Sequence, residues 1–240
     1  MSKEWELVEA VFGASKRILL SGPPGTGKTH AAVKLKLGDR KVFQITVTPE
    51  TAAAELRGHY MPNENGGFQF HYGPAIEAWK EGGRLVINEI RDASGDCLTF
   101  LHTICDDQEI AGITLPNGEY LHPKEGFEVV ATMNGDVEEL PLALRDRFPV
   151  HIEITTPAPG AILSLPADLQ AVAKESGSLL EEGRRVSVRA WKEFSILRDI
   201  IGYDMAAYAV FGKRAKDVLE SLKLGIAEKA EAGRRKVVKH

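Results

Sequence analysis

A glycine-rich run near the start of the chain matches the pattern G-x-x-x-x-G-K-[ST] at every position: Gly22-Pro23-Pro24-Gly25-Thr26-Gly27-Lys28-Thr29. Arg17–Ser21 before it predicts a short buried strand, and His30–Leu37 after it predicts a helix that stops at Gly38. A strand, a glycine loop and a helix in this order form the setting in which the pattern binds phosphate. The alternative, a Gly/Pro turn with a lysine nearby, explains fewer of these positions, so we predict nucleotide binding.

Each part of the loop has a physical role in that prediction. The glycines let backbone N–H groups converge on the β- and γ-phosphates of a nucleotide. Lys28 adds a point charge, and the hydroxyl of Thr29 can ligate Mg²⁺. We therefore expect residues 22–29, together with the adjoining His30, to bind nucleotide and Mg²⁺.

Composition excludes several classes of protein. The chain of 240 residues has 43% apolar and 27% charged residues and a net charge of −4, so nothing global favours nucleic acid or an anionic membrane. No apolar run approaches the ~18 residues of a membrane span, and the N-terminus lacks the apolar region of a signal peptide. We expect a cytoplasmic protein with no membrane partner. Cys97 and Cys105, eight apart in a helical pattern, are expected to be buried free thiols.

Alternating strand and helix patterns predict an α/β fold with a parallel sheet. Helix-like residues 4–13 come first, and strands after Arg17–Ser21 are expected at Lys41–Val47, Arg84–Ile87, Gly126–Thr132 and Val150–Ile154. Two polar/apolar alternations, Gly67–Tyr72 and Ile110–His122, indicate inserted hairpins. Thr155–Gly160 resembles a linker, and the residues after it are helical in pattern. We therefore predict a nucleotide-binding core over 1–156 and a helical domain over 161–240.

An ATP site also needs polar groups at the carboxyl end of a neighbouring strand. Leu85-Val86-Ile87-Asn88-Glu89 provides an apolar strand that ends in a polar pair. Here the chain resembles AAA+ ATPases of the MoxR-like branch, related to McrB and to the proteins that activate rubisco and nitric-oxide reductase. The resemblance covers nearly the whole chain, and the matching segments are Tyr72-Gly73-Pro74, Glu77–Gly83, the Walker B segment Gly82–Ile90, and the stretch from Ile113 to Asn134.

The resemblance implies a fold and several roles. It implies a five-stranded parallel sheet of order 5-1-4-3-2 with inserted hairpins and a small helical lid. It implies that Glu89 orients the attacking water and that Asn134, which follows the fourth strand, is sensor 1. Taken alone, an Asn after a strand is usually a turn residue.

One position departs from the family pattern. The family usually carries Asp-Glu at the end of the Walker B strand, and this chain has Asn88-Glu89. An Asn side chain accepts hydrogen bonds from Mg²⁺-bound water but supplies no negative charge. Three interpretations remain open: a weakened Mg²⁺ site with slow hydrolysis, a tolerated substitution, or an engineered change that traps ATP.

The resemblance also assigns arginines. Ala143–Phe148 matches the family's Ala-Leu-x-x-Arg-Phe ending, in which the Arg before Phe reaches the nucleotide of the adjacent subunit. This role falls on Arg147, with Arg145 as a second candidate, and the alternative is a solvated or Asp-paired arginine. Ser187 is a candidate N-cap of a lid helix. Arg189 would then be sensor 2, and the alternative is an exposed helical arginine.

The resemblance implies an ATPase that works as a ring, expected to be a hexamer, and that remodels or activates a partner protein. Members of this branch often act with proteins that carry a von Willebrand factor A domain. Two alternatives are an ATP-gated structural switch with little hydrolysis, because of Asn88, and a nucleic-acid motor or loader, which the acidic balance disfavours.

Weaker sequence features lead to further expectations. Phe68, Phe70, His71 and Tyr72 either contact a client in the pore or pack on the sheet. The histidines show no metal-ligand spacing, so we expect no zinc. The basic tail 233–240 is expected to be a solvated end.

Overall fold

The computed structural model describes residues 2–179, 182–220 and 222. The described chain forms two compact units. The sheet unit contains residues 2–22 and 28–154, and the helical unit contains residues 23–27 and those from 155 onward. The domain boundaries expected from the sequence stay a prediction.

Strands within the sheet unit form one parallel sheet and two hairpins. In chain order, the strands are β1 (Arg17–Ser21), β2 (Val42–Thr46), β3 (Gly58–Pro62), β4 (Phe68–Tyr72), β5 (Arg84–Asn88), β6 (Ile113–Thr114), β7 (Tyr120–Leu121), β8 (Glu128–Thr132) and β9 (Val150–Glu153). The sheet has the order β2-β5-β8-β1-β9, and all of its pairs are parallel. Counted among the five sheet strands alone, this is the expected order 5-1-4-3-2, and that prediction is confirmed.

Burial explains which strands lie at the centre of the sheet. Every residue of β5 and β8 is buried, and so are the last four residues of β1. Continuous apolar runs of this kind suit parallel strands that are covered on both faces. In β2 no residue is fully buried, which fits its place at the edge of the sheet.

In the sheet unit, one helix precedes β1 and the other helices lie between strands along the chain. They are α1 (Lys3–Val11), α2 (Lys28–Lys34), α3 (Ala53–Arg57), α4 (Pro74–Glu81), α5 (Gly95–Ile104) and α6 (Leu142–Arg145). Their apolar faces join the strands in one core that includes Trp79, Leu101 and Phe148. Cys97 and Cys105 belong to this core as buried free thiols, as expected. Burial raises the pKa of Cys97 to about 11 and that of Cys105 to about 12.

Both inserted hairpins are present. The strands β3 and β4 pair antiparallel from Gly58–Tyr72 to Pro62–Phe68, and β6 pairs with β7. The sequence indicated β4 and the second hairpin, but it did not indicate β3. Rings of Tyr60, Phe70 and Tyr72 form a ladder with centroid distances of 5.3 and 5.5 Å. Phe70 and Tyr72 also pack against the core, whereas Phe68 is 71% exposed, so the pore hypothesis concerns mainly that one ring.

Helices alone form the regular structure of the helical unit in its described part. They are α7 (Pro159–Leu163), α8 (Gln170–Gly177), α9 (Val188–Ile201) and α10 (Tyr203–Phe211), followed by helical residues 215–220. Their core contains Trp191 and Phe194, whose ring centroids lie 5.9 Å apart. The expectation of a linker over 155–160 needs one correction, because α7 already begins at Pro159, a residue suited to the first helical turn. The basic tail 233–240 lies outside the described residues.

None of the helices in the described part of the chain is long and apolar enough to cross a bilayer.

Candidate functional site

Three polar side chains predicted for the nucleotide site form one hydrogen-bonded chain in the sheet unit. The ammonium of Lys28, at the start of α2, donates to Oδ1 of Asn134 at 3.0 Å and to the carbonyl of Gly22 at 2.7 Å. The Asn134 amide donates from Nδ2 to Oε1 of Glu89 at 2.7 Å, and its backbone N–H lies 3.3 Å from Oε2. Because β1, β5 and β8 are parallel neighbours, their carboxyl ends meet at one edge and bring these residues together.

Backbone conformation sets the position of the Glu89 carboxylate. Glu89 has φ 55° and ψ 43°, the left-handed region that non-glycine residues rarely adopt. Such a conformation persists only when the surroundings determine it, and it occurs often at functional sites. The two hydrogen bonds from Asn134 to the Glu89 carboxylate are part of those surroundings.

The side chain of Asn88 lies inside the sheet, whereas that of the next residue, Glu89, is partly exposed. Asn88 is buried, with 5% of the residue exposed. Oδ1 accepts from the hydroxyl of Thr132 at 3.0 Å, and Nδ2 lies 3.5 Å from the carbonyl of Ile45. Asn88 therefore links its strand to β8 and β2. Sequence reasoning missed Thr132, although it pairs with Asn88 in the register that the strand order implies.

The sheet unit contributes the two ends of the glycine loop, Gly22 and the residues from Lys28 onward. Gly22 has φ 119°, and a Cβ there would lie 2.4 Å from the carbonyl oxygen of Ile154, so only glycine fits. Lys28 is 6% exposed, whereas Thr29 and His30 are exposed. An exposed Thr29 hydroxyl can bind a ligand, and its role as a metal ligand stays a prediction.

The middle of the loop, residues 23–27, belongs to the helical unit. Thr26 is buried, its hydroxyl donates to the carbonyl of Pro23 at 3.2 Å, and its own carbonyl accepts from Ala158 N–H at 2.8 Å. Gly25 has φ 78°, and a Cβ there would lie 2.6 Å from Cβ of Ser187. A side chain at position 25 would therefore both strain the loop and clash with the start of α9.

A cavity of about 470 Å³ lies in the helical unit beside Pro24 and Gly25. The predicted N-cap is confirmed, because Oγ of Ser187 accepts from Ala190 N–H at 3.2 Å. Arg189 lies in the first turn of α9 and lines this cavity. Sequence reasoning missed its other lining residues Arg185, Val210, Phe211 and Arg214. The wall combines guanidinium groups with an aromatic surface, a chemistry suited to an anionic ligand that carries a ring.

Arg145 and Arg147, the predicted residues for a neighbouring subunit, have partners in their own chain. The guanidinium of Arg145 pairs with Glu138. Nη2 of Arg147 lies 3.2 Å from Oδ2 of Asp106, and Nη1 donates to the carbonyl of Ala143 at 3.1 Å. Both arginines are partly exposed, and their action on another subunit stays a prediction.

Among the described residues, no group of three or more His, Cys, Asp or Glu side chains lies close enough together to hold a metal ion.

Comparison with curated proteins finds relatives that are longer than this chain. An uncharacterized protein of Staphylococcus saprophyticus is 36% identical over 151 residues, which is 59% of this chain and 57% of the relative. The chain thus covers less than two thirds of that relative's length.

Solved structures show the same fold. NtrX from Brucella abortus has a TM-score of 0.58 at 17% identity, covering 84% of this chain and 52% of NtrX. The same protein in complex with ATP has a TM-score of 0.54 at 17% identity, covering 82% and 50% of the two chains. At this identity the similarity concerns the fold alone.

The family is shown by a match to a family model over one continuous range of the chain. Residues 17–148, more than half of the chain, match the AAA domain family, dynein-related subfamily. That range includes Lys28, Glu89, Asn134 and Arg147, so the hydrogen-bonded chain lies inside the matched region. The chain therefore belongs to the AAA domain family, in its dynein-related subfamily.

Proposed function

We propose that this chain is a MoxR-like AAA+ ATPase that binds ATP and Mg²⁺, hydrolyses ATP in a ring and thereby remodels a partner protein. The observation that carries the proposal is the hydrogen-bonded chain of Lys28, Asn134 and Glu89. A phosphate-binding ammonium, a carboxamide and a carboxylate within hydrogen-bond reach of one another are the groups that phosphoryl transfer to water requires.

Each of these groups has a role in the proposed reaction. Lys28 and the backbone N–H groups of the glycine loop hold the phosphates. Asn134 orients the γ-phosphate and the attacking water, and the carboxylate of Glu89 accepts a hydrogen bond from that water. Since Lys28 and Glu89 already share Asn134 as partner, a small change at this amide alters both groups together.

Oxygen donors at the site fit Mg²⁺. Thr29 offers an exposed hydroxyl, and Asn88 offers a neutral carboxamide oxygen that also accepts from Thr132. These two residues would hold the metal directly or through water. Bound Mg²⁺ neutralises charge on the phosphates during transfer.

In the proposed ring, the nucleotide site is composite. Arg147 would exchange its bond to Asp106 for a bond to the γ-phosphate of the adjacent subunit. A guanidinium supplied in this way is worth ~10³-fold or more in rate. Arg189 would contact the phosphates from the helical unit and couple their state to the lid. A hexamer and a partner with a von Willebrand factor A domain follow from the resemblance alone.

A second candidate function is an ATP-gated switch with little hydrolysis. The observation that favours it is the burial of Asn88, whose amide is bonded within the sheet and brings no charge to a metal. In that case ATP binding alone would change the conformation of the chain.

Complementation between two inactive variants tests the composite site. Lys28→Ala and Arg147→Ala should each lose turnover, and a mixture of both should regain part of it, because one subunit's intact Lys28 site meets the other's intact Arg147. Arg17→Ala is a matched control, since Arg17 forms a similar exposed pair with Asp107 at 3.1 Å and should remain active. A mixture that stays inactive would contradict the action of Arg147 on a neighbour.

A further inference from the structure

At the amino ends of the central strands, a buried ion pair lies at the opposite end of the sheet from Lys28, Asn134 and Glu89. Arg84, the first residue of β5, is 0% exposed, and its Nε lies 2.5 Å from Oε1 of Glu128. Glu128 is the first residue of β8 and is 2% exposed. Its other carboxylate oxygen, Oε2, forms an ion pair with Nη1 of Arg40 at 2.8 Å. The pair thus joins the starts of the two strands that end at Asn88 and Thr132.

The same guanidinium also holds the end of α2. Nη1 of Arg84 donates to the carbonyls of Ala32 at 2.9 Å and Leu35 at 2.8 Å. Carbonyls at a helix C-terminus lack donors within the helix, and a cation there also complements the helix dipole. The ring of Phe12 lies 5.2 Å from Cζ on another side. Arg84, a residue of the sheet, therefore caps the C-terminal end of α2.

We propose that Arg84 is a positioning residue for ATP hydrolysis, because it fixes the C-terminal end of α2 to the starts of β5 and β8. Lys28 is the first residue of this helix, about 10 Å from its end at 1.5 Å per residue. A helix this short moves as one piece. Its tether at one end therefore sets the distance of Lys28 from Asn134 and Glu89 at the other. This inference rests on the proposed function.

Geometry distinguishes this role from simple stabilisation. Buried ion pairs are weak contributors to stability, and apolar residues of similar volume often replace them without loss. Nη2 of Arg84 is buried without a hydrogen-bond partner among the described residues, so the side chain is not fully satisfied. The three bonds that are made use the fork of the guanidinium, which a lysine ammonium cannot reproduce.

Two variants test the tether, and both keep the chain folded for different reasons. Arg84→Lys keeps the charge beside Glu128 but loses the fork. The double variant Arg84→Met/Glu128→Met removes both fully buried charges, and Arg40, which loses its pair with Glu128, has a side chain that is 27% exposed to solvent. In each, kcat should fall about tenfold or more, because displacements of about 1 Å at a reacting centre cost this much. KM should change less than about threefold, because the loop ahead of α2 supplies most phosphate contacts.

Hydrogen exchange provides a readout that does not depend on turnover. Amides of residues 28–35 should exchange about tenfold faster in both variants, whereas those of β1 should not change. Lys41→Gln is the matched control, since its exposed pair with Glu81 at 2.9 Å lies at the same edge of the sheet and should affect neither measurement. Unchanged exchange in residues 28–35, or faster exchange with unchanged kcat, would overturn the inference. If the wild-type chain shows no ATP turnover, the proposed function is wrong. Hydrogen exchange alone would then test whether Arg84 holds the end of α2.

Discussion

The two ends of β5 and β8 are built from different chemistry. At their amino ends, Arg84 and Glu128 form a fully buried ion pair whose charges are neutralised in place. Just after their carboxyl ends, Asn134 and Glu89 are only partly buried and are joined by two hydrogen bonds rather than by an ion pair. Bonds of the second kind can be exchanged for a ligand at little cost, whereas the first kind cannot. The same strands anchor the sheet unit at one end and lead into the residues of the proposed ATP site at the other.

This difference predicts two kinds of variant. Substitutions at the amino ends should act first on stability or helix position, because they leave a buried charge or carbonyl without a partner. Substitutions at the carboxyl ends should act on rate with little change in stability.

The largest effect is expected for Glu89→Gln. Loss of the carboxylate should lower ATP turnover by roughly 10³-fold, since a positioned base contributes about 10²–10⁴-fold. ATP affinity and melting temperature should stay close to wild type, because the amide still accepts the bond from Asn134. Steady-state turnover, nucleotide titration and thermal unfolding check this, with Asp92→Asn, in the short helical turn Ile90–Asp92 that follows Glu89, as a control. A Glu89→Gln chain that hydrolyses ATP normally would show that the carboxylate at the end of β5 does not act on the rate.

At the amino ends of β5 and β8, a loss of stability is expected for the single variant Arg84→Met. Within the part of the chain that the structure describes, Glu128 would then keep only Arg40 as an ionic partner, and the unfolding free energy should fall by about 3–5 kcal/mol. Urea unfolding measures this loss from the shift of the midpoint. A loss below about 1 kcal/mol would show that the buried pair is worth no more than a surface pair.

A smaller loss is expected for Asn134→Ala. It removes a shared partner of Lys28 and Glu89, and turnover should fall about 10²-fold, the size seen when one preorganised donor is removed. Single-turnover measurements with bound ATP separate this from a binding effect. Unchanged turnover would mean that the carboxamide is a turn residue and no more.

Asn88→Asp decides between a working ATPase and a gated switch. If the native site is competent, turnover should change less than about fivefold, and the Mg²⁺ concentration for half-maximal rate should fall because a carboxylate is the better ligand. A sharp rise in turnover would instead favour the switch. A Mg²⁺ titration of turnover in both chains gives the result.

The smallest effect is expected for Lys41→Gln, which breaks an exposed pair at the amino end. The hydrogen bond from Lys41 is the main reason that the pKa of the Glu81 carboxyl lies below its usual value. A lowered carboxyl pKa stabilises the fold above the unfolded pKa, and the contribution disappears as pH falls through the folded pKa. Because both side chains are exposed, thermal unfolding at neutral pH should not change measurably. A clear loss of stability at neutral pH would show that this exposed pair contributes to stability as the buried pair of Arg84 does.

Local patterns predicted most of the sheet and the residues at its carboxyl edge. The apolar runs before Ser21, Asn88 and Asn134 indicated strands, and parallel topology implied that their ends meet. Lys28, Asn134 and Glu89 could therefore be expected close together from the sequence. The strand β3 was missed because Gly58–Pro62 contains a proline and lies on an exposed ribbon without a buried face.

Long-range partners could not be predicted in the same way. A charged residue that opens a strand, such as Arg84, normally suggests exposure, and only its contacts with Ala32, Leu35 and Glu128 explain its burial. The left-handed conformation of Glu89 likewise has no local signal, because Glu rarely adopts it. Such features depend on how distant elements pack.

Mg²⁺-dependent ATP turnover per subunit, measured while protein concentration rises, tests whether the chain hydrolyses ATP in a ring. If it does, the rate should climb with concentration as rings assemble, and Lys28→Ala should abolish it at every concentration. Tight ATP binding with flat, near-zero turnover of the wild-type chain across the whole range would contradict hydrolysis at the Lys28, Asn134 and Glu89 site.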